Sequence, residues 1–168
     1  TALAKALYTL DWNWAEAGTH FEQAIALNPS YATARHWHSL FLMNVGRMDE
    51  ALAAALKARE VDPVAVPVHS HAAWVRYLSG DADMAAREAR LGIDMAPRHV
   101  GNHELLGWIA RSQGQFEASI AHFQAAIDMA PPDPRTRSAL ASAYAAGGRR
   151  DEAVAILRDL EGHSAGAA

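Results

Sequence analysis

The chain has 168 residues, 51% of them hydrophobic, and a formal net charge of −4 with histidine neutral. That length supports one compact domain or one short repeat array, and the charge leaves no global basic field to draw the chain to nucleic acid or to an anionic membrane. Cysteine is absent, which excludes disulfides and thiol chemistry and leaves the redox compartment open. No run of 18 apolar residues and no signal peptide is visible, so the expectation is a cytoplasmic chain off the membrane. Thr1 falls partway along a helical pattern, as in a piece of a longer protein.

Taken in order, residues 1–11 read as the rear of a first helix, and Trp12-Asn13-Trp14 stands at a turn. A second helix carries Phe21, Ala24 and Ile25 and ends at Asn28-Pro29, since proline cannot continue a helix and restricts the residue before it. The next pair runs from Ala32 to Asp62, with Arg35-His36-Trp37-His38 in its first helix, Gly46 at its turn and Ala51 to Glu60 in its second. Asp49 is placed as an N-cap or first-turn acid, favoured by the helix dipole. A third pair runs from Pro67, well suited to a helix start, through the turn Gly80-Asp81-Ala82-Asp83 to Met95. The fourth, Gly101 to Pro131, has Leu106 and Gly107 before Gly114, and Phe123 and Ala126 after it. The fifth runs from Pro134 to Leu160 around Gly147-Gly148, and residues 161–168 carry no pattern and are predicted to be a disordered tail. Apolar series such as Ile120, Phe123 and Ile127 have the helical period, and no strand alternation survives. Arg135, Arg137, Arg149 and Arg150 are interleaved with Asp133, Asp151, Glu152 and Asp159, which reads as a solvated face.

Two punctuation marks share one spacing. Pro29, Pro63, Pro97 and Pro131 are 34 apart, as are Gly46, Gly80, Gly114 and Gly148. Small residues keep the same register: Ala17, Ala51, Ala85, Ser119, Ala153; Ala24, Ala58, Gly92, Ala126; Ser39, Ala73, Gly107, Ala141. Close helix crossings need small side chains, because the interaxial distance depends on what stands at the contact. Large residues fill other columns, Phe21 with Phe123, Tyr8 with Leu42 and Tyr144, Leu106 with Leu140. A helix–turn–helix unit of this length is the tetratricopeptide period, and the chain resembles the tetratricopeptide repeat family over nearly its whole length. The resemblance implies an all-α, right-handed superhelical solenoid. It would form one domain over 1–160, with repeats 1–31 (incomplete), 32–65, 66–99, 100–133 and 134–160. The first large aromatic of the family pattern is missing; its column reads Thr1, Arg35, His69, His103, Arg137. The runs Asp11 to Ala17 and Phe21 to His38, and Ala143 to Ala153, are also similar to the repeat region of bacterial regulators that carry a winged-helix or nucleotide-cyclase domain.

Nine histidines raise a metal reading. His36 with His38, and His69 with His71, are spaced i, i+2, which on a helix points the two rings apart; helical metal pairs use i, i+4. Only inter-repeat pairs, His69 with His103 or His20 with His122, remain conceivable. There is no GxSxG, phosphate loop or cysteine nucleophile, so no enzyme is expected and no cofactor is implied. In the family, the first helix of each repeat lines a concave surface. That implies three groove columns: Ala6, Leu40, Trp74, Trp108, Ser142; Leu3, Trp37, His71, Leu105, Ala139; and Thr9, Met43, Tyr77, Arg111, Ala145. The candidate peptide-binding residues are therefore Trp37, Leu40, His71, Trp74, Tyr77, Glu104, Trp108 and Arg111, with Trp74 and Trp108 on adjacent repeats. Against this stands the reading that the tryptophans only pack between helices. Family members that clamp the C-terminal carboxylate of heat-shock chaperones do so with Lys, Arg and Asn. The matching positions here hold Ala2, Ala6, His36, Leu40, Ser70 and Trp74, so that clamp is absent. The reading is a non-enzymatic protein-interaction module that binds a protein, as a helix or an extended peptide, in its groove, with no nucleic-acid or membrane partner. One alternative is a partner-sensing or self-association domain of a larger bacterial regulator or cyclase. Another is a metal or small-molecule sensor built on the His/Trp groove. The end repeats, with Ile156, Leu157 and Leu160 near the chain end, are where copies of the chain would associate.

Overall fold

The computed structural model describes residues 1–10, 13–130 and 133–165. Among the described residues there are ten helices and no strand. They are α1 (Ala2–Thr9), α2 (Trp14–Leu27), α3 (Ala32–Asn44), α4 (Met48–Val61), α5 (Val66–Leu78), α6 (Ala82–Met95), α7 (Val100–Ser112), α8 (Phe116–Met129), α9 (Pro134–Ala146) and α10 (Arg150–Ala165). Trp12 of the first turn and Pro131 of the proline series lie outside the described residues. The chain divides into two compact units, Thr1–Glu88 and Ala89–Ala168, and the division falls within α6.

The glycine column makes the turns. Gly46, Gly80, Gly114 and Gly148 have φ of 79°, 95°, 73° and 79°, a left-handed conformation open to glycine at little cost. Each turn closes with the same long bond: Arg47 N–H to Leu42 C=O at 2.9 Å, Asp81 to Arg76 at 3.1 Å, Gln115 to Ala110 at 2.8 Å and Arg149 to Tyr144 at 2.8 Å. This is the glycine-terminated helix end in which the backbone satisfies its own orphan carbonyls. Asn13 caps α2 by accepting from the Glu16 N–H, and Asp81 and Asp133 accept from Met84 and Arg135 N–H at the starts of α6 and α9. Asp49 sits in the first turn of α4, and Pro67 in the first turn of α5, where its missing N–H is harmless.

The column lacking its large aromatic has a different task. Arg35 Nε donates to Pro29 C=O at 3.1 Å, His69 Nε2 to Pro63 C=O at 2.8 Å and His103 Nε2 to Pro97 C=O at 3.4 Å. A carbonyl only accepts, so both imidazoles carry the proton on Nε2. Each polar side chain thus latches the proline turn six residues before it.

The small columns form the crossings. Ala17, Ala51, Ala85 and Ser119 are fully buried, and Ala153, Ala58, Ala126, Ala73 and Ala141 nearly or fully so. In the first unit, Phe21, Phe41, Leu42, Ala51, Ala55 and Val75 belong to one core cluster, with Tyr8 and Trp37 packed against it. In the second, Phe123, Leu140 and Ala143 anchor the core, with Trp108, Ile127 and Ile156 against it. A Cβ on Gly107 would meet the Phe123 ring at 2.8 Å, and one on Gly92 would meet the Asn102 amide at 2.4 Å, so these two helix glycines are there for close packing. The α3/α4 and α7/α8 crossings each hold one buried hydroxyl. Ser39 Oγ donates to Ala51 C=O at 2.7 Å, and Ser119 Oγ donates to Gly107 C=O at 2.8 Å. The hydroxyl stands on the first helix in one hairpin and on the second in the other.

His71 extends the first of these. Ser39 has already given its proton to Ala51, so it accepts from His71 Nε2 at 2.9 Å. The His36 ring meets His71 edge-on, with centroids 4.7 Å apart. Burial, then the neighbouring His36, push the His71 pKa down to about 3, and burial also lowers His36. Elsewhere in this unit both carboxylate oxygens of Glu88 are used, by Arg59 at 2.7 Å and Arg76 at 3.2 Å, tying α4 and α5 to α6.

Helix α10 continues to Ala165, past Leu160 where the sequence pattern stops. Past Leu160, Glu161 and Ala165 have good intrinsic helix propensity, and the cost of Gly162, about 1 kcal/mol, is too small to end a formed helix. Residues 166–168 lie outside the described residues.

Two outcomes follow. Replacing Ala51, which is 0% exposed, by leucine should destabilise the protein by about 1–3 kcal/mol through overpacking, measured as a shift of the urea midpoint. Stability should also fall as pH drops. His71 takes up its proton more readily unfolded than folded, so stability is full above the unfolded value near 6.5 and is lost below it. Between pH 7 and 5 this amounts to about 2 kcal/mol. His71→Gln keeps a donor to Ser39 but does not titrate, and should reduce the dependence of the melting temperature on pH over that interval, the remainder coming from the other histidines that burial lowers, such as His36 and His122.

Candidate functional site

The first helices of neighbouring hairpins lie side by side within each unit, α3 beside α5 and α7 beside α9. Their small-residue faces are taken up by the second helices, so the remaining faces are available to line a wall. The column Ala6, Leu40, Trp74, Trp108, Ser142 is partly exposed at every position. The second column behaves otherwise. His71, Leu105 and Ala139 are buried at 8%, 0% and 4% exposure, and only Leu3, on α1, is open, at 57%. His71 meets His36 of α3 edge-on and donates to Ser39, so its polar edge is spent inside the first unit.

In the first unit, Trp37 is partly buried, with the Lys5 ammonium 4.1 Å from its ring centre and His36 edge-on to it. Trp74 and Tyr77 are both partly exposed and meet edge-to-face at 6.2 Å. Trp37, Leu40, Trp74 and Tyr77 are thus brought onto α3 and α5. In the second unit, Glu104, Trp108 and Arg111 follow one another along α7 at helical spacing, all partly buried. The Glu104 carboxylate accepts from the Thr136 hydroxyl of α9. One edge of Trp108 is core, perpendicular to the Phe123 ring at 5.4 Å. The Arg111 guanidinium lies 5.8 Å from the Trp108 ring centre, and its Nε is buried without a hydrogen-bond partner. Trp74 belongs to the first unit and Trp108 to the second.

Trp108 also has a free side. With Pro134, Arg135, Ser138 and Ala139 of α9 it lines an open cleft of about 460 Å³. Of the α9 residues here, column reading gave Ala139 and passed over Pro134, Arg135 and Ser138, which fall in none of the three groove columns. A second opening, of about 500 Å³, lies in the first unit over His38 and Leu42 of α3. It is flanked by Glu22 and Ile25 of α2 and by Glu50, Ala54 and Lys57 of α4. No column pointed to it, since its walls come from three helices.

The histidines pair across helices, His36 with His71 and His103 with His122 at 4.7 and 5.8 Å between ring centres. Burial, then the neighbouring His103, lower the His122 pKa. Among the described residues no three His, Cys, Asp or Glu side chains converge as metal ligands, and no helix is long and apolar enough to cross a membrane.

Comparison with known proteins agrees with this architecture. No curated protein matches the sequence. A thermophilic tetratricopeptide repeat protein of Thermus thermophilus superposes with a TM-score of 0.81 at 25% identity, over 95% of this chain and 87% of that one. A tetratricopeptide repeat protein from Parabacteroides merdae gives 0.81 at 14% identity, over 95% and 62%. YrrB, described as a tetratricopeptide repeat protein with an unusual peptide-binding site, gives 0.63 at 16% identity, over 94% and 80%. One tetratricopeptide repeat model matches residues 1–66 and 71–134, and a second matches residues 110–166. With ten helices among the described residues, four glycine turns in register and these matches along the chain, the protein belongs to the tetratricopeptide repeat family of protein–protein interaction scaffolds.

Proposed function

We propose that the protein binds a peptide or short helix of a protein partner on the open faces of its first helices, each unit using its own. The observation that carries this reading is the cleft beside Trp108. An aromatic ring with one side in the core and the other facing an open, largely apolar hollow is held rigid before any ligand arrives. Rigid aromatic anchors in such places are where binding energy concentrates. Leu40, Trp74 and Tyr77 give the first unit a comparable apolar face on α3 and α5. YrrB, a similar fold, is described by its peptide-binding site, which lends the reading support by analogy.

Trp108→Ala is a poor test, because the same ring packs on buried Phe123 and its loss would weaken folding as well. Filling the hollow from its exposed rim separates the two effects. Ser138 is exposed and bonds only to Pro134 C=O of its own helix, so Ser138→Trp should change stability by no more than about 0.5 kcal/mol. Peptides selected from a random displayed library on the wild-type protein should lose at least about tenfold in affinity for this variant, a difference of about 1.4 kcal/mol. Undiminished binding by a normally melting Ser138→Trp protein would remove the cleft from the function.

A further inference from the structure

Building on that reading of the cleft, we propose that its partner is a peptide in which an apolar side chain neighbours an aspartate or glutamate. The apolar group enters beside Trp108 and the carboxylate pairs with Arg111.

The argument rests on which charges around Trp108 are already committed. Arg111 is held against the Trp108 ring face, 5.8 Å from its centre, an arrangement that orients a guanidinium without neutralising it. Its Nε is buried and has no hydrogen-bond partner. Arginine has donors only, in a planar fork matched to a carboxylate, and an unmet buried donor gains most from a charged acceptor. Two acids on these elements, Glu104 of α7 and Asp133 at the cap of α9, have hydrogen-bond partners of their own. Glu104 accepts from the Thr136 hydroxyl. Asp133 accepts from the Arg135 backbone N–H at 2.8 Å and stands 3.8 Å from its Nε. That ion pair is weak, because the Arg135 side chain is 94% exposed and water screens it. A second guanidinium is therefore available on the cleft rim. Arg111 lies in the last turn of α7, over the Trp108 ring, and Arg135 in the first turn of α9, on the cleft lining, so each of the two helices brings one cation near Trp108. A basic peptide would meet two like charges, and a purely apolar one would leave the Arg111 donor unmet. The chain's net charge of −4 disfavours an extended polyanion, whereas a short acidic–apolar segment needs only these two cations.

The test uses four dye-labelled peptides of equal length, followed by fluorescence anisotropy on the whole chain. Three are blocked at both ends and carry a Phe-Leu core flanked by Glu, by Gln or by Lys; the fourth is the Gln peptide with a free C-terminal carboxylate. The Glu peptide should bind about tenfold more tightly than the blocked Gln peptide at low salt, and the Lys peptide more weakly than either. Raising the salt should shrink the difference. Arg111→Gln should abolish the preference of the Glu peptide over the Gln peptide, read as the ratio of the two affinities within that variant, and Arg135→Gln, at a side chain that is 94% exposed, should reduce the ratio in part. Equal binding of the Glu and Gln peptides, both lost in Ser138→Trp, would overturn the acidic partner and leave the cleft reading intact. A preference that survives Arg111→Gln would overturn the assignment to that residue. Tighter binding of the free C-terminus than of the Glu peptide would move recognition to a chain end and equally sink the proposal. If no peptide binds, the cleft reading falls with it. Should Arg111→Gln fail to fold, as judged by its melt, Arg135→Gln decides, and an unchanged preference there overturns the proposal.

Discussion

Close approach of two helix backbones at Ala51 opposite Ser39, and at Ser119 opposite Gly107, is the constraint on which the hairpins containing them depend. At these points a side chain larger than a methyl or hydroxymethyl group would hold the helices apart. The large residues would then lose their seats. Phe123 packs where a Gly107 Cβ would be, and Phe21 is fully buried among Ala17, Phe41 and Ala51. The hydroxyl at each of these two crossings adds direction to a contact that is otherwise only a fit of shapes. A buried serine must find an acceptor, and the facing backbone carbonyl at 2.7–2.8 Å is the one in reach. Helix register is thereby fixed at the point of closest approach.

The departures from the family pattern are consistent with this view. Where a large aromatic is absent, Arg35, His69 and His103 hold the proline turns by hydrogen bonds. They replace a contact that scales with area by one that depends on direction. In the same way His71, within the α3–α5 contact, adds a third member to the Ser39–Ala51 bond. The result is a polar chain inside the first unit that is stable only with its imidazole neutral, since burial penalises the charged form.

The proposed site follows from which aromatic faces the packing leaves over. Trp108 meets Phe123 on one side and an open hollow on the other. Its two roles, core residue and cleft wall, are not alternatives. Packing is what keeps the ring from rearranging and keeps Arg111 in place above it. The protein scaffold and its proposed partner site are therefore built from one side chain, with the chemistry of the rim set by whichever charges the helix caps and hydroxyls leave uncommitted.

Sequence alone determined the periodic features. A 34-residue spacing of glycines, prolines and small residues specifies turns and crossings, because a left-handed turn and a close helix contact each admit few residue types. Gly46, Gly80, Gly114 and Gly148 were legible for that reason, and so were Ala17, Ala51, Ala85 and Ser119. Only tertiary structure decided which members of a helix column face solvent. Trp37 and His71 share a column, yet His71 and Leu105 are buried while Trp37 keeps a partly open face beside Lys5. Exposure depends on the neighbouring helix, which helical spacing does not encode. The chain end was also undecided, since Glu161 to Ala165 have no apolar period yet extend a helix already nucleated by packing. The cleft on α9 was hidden for a related reason: Ser138 matters through the space it leaves beside Trp108, and empty space has no residue type.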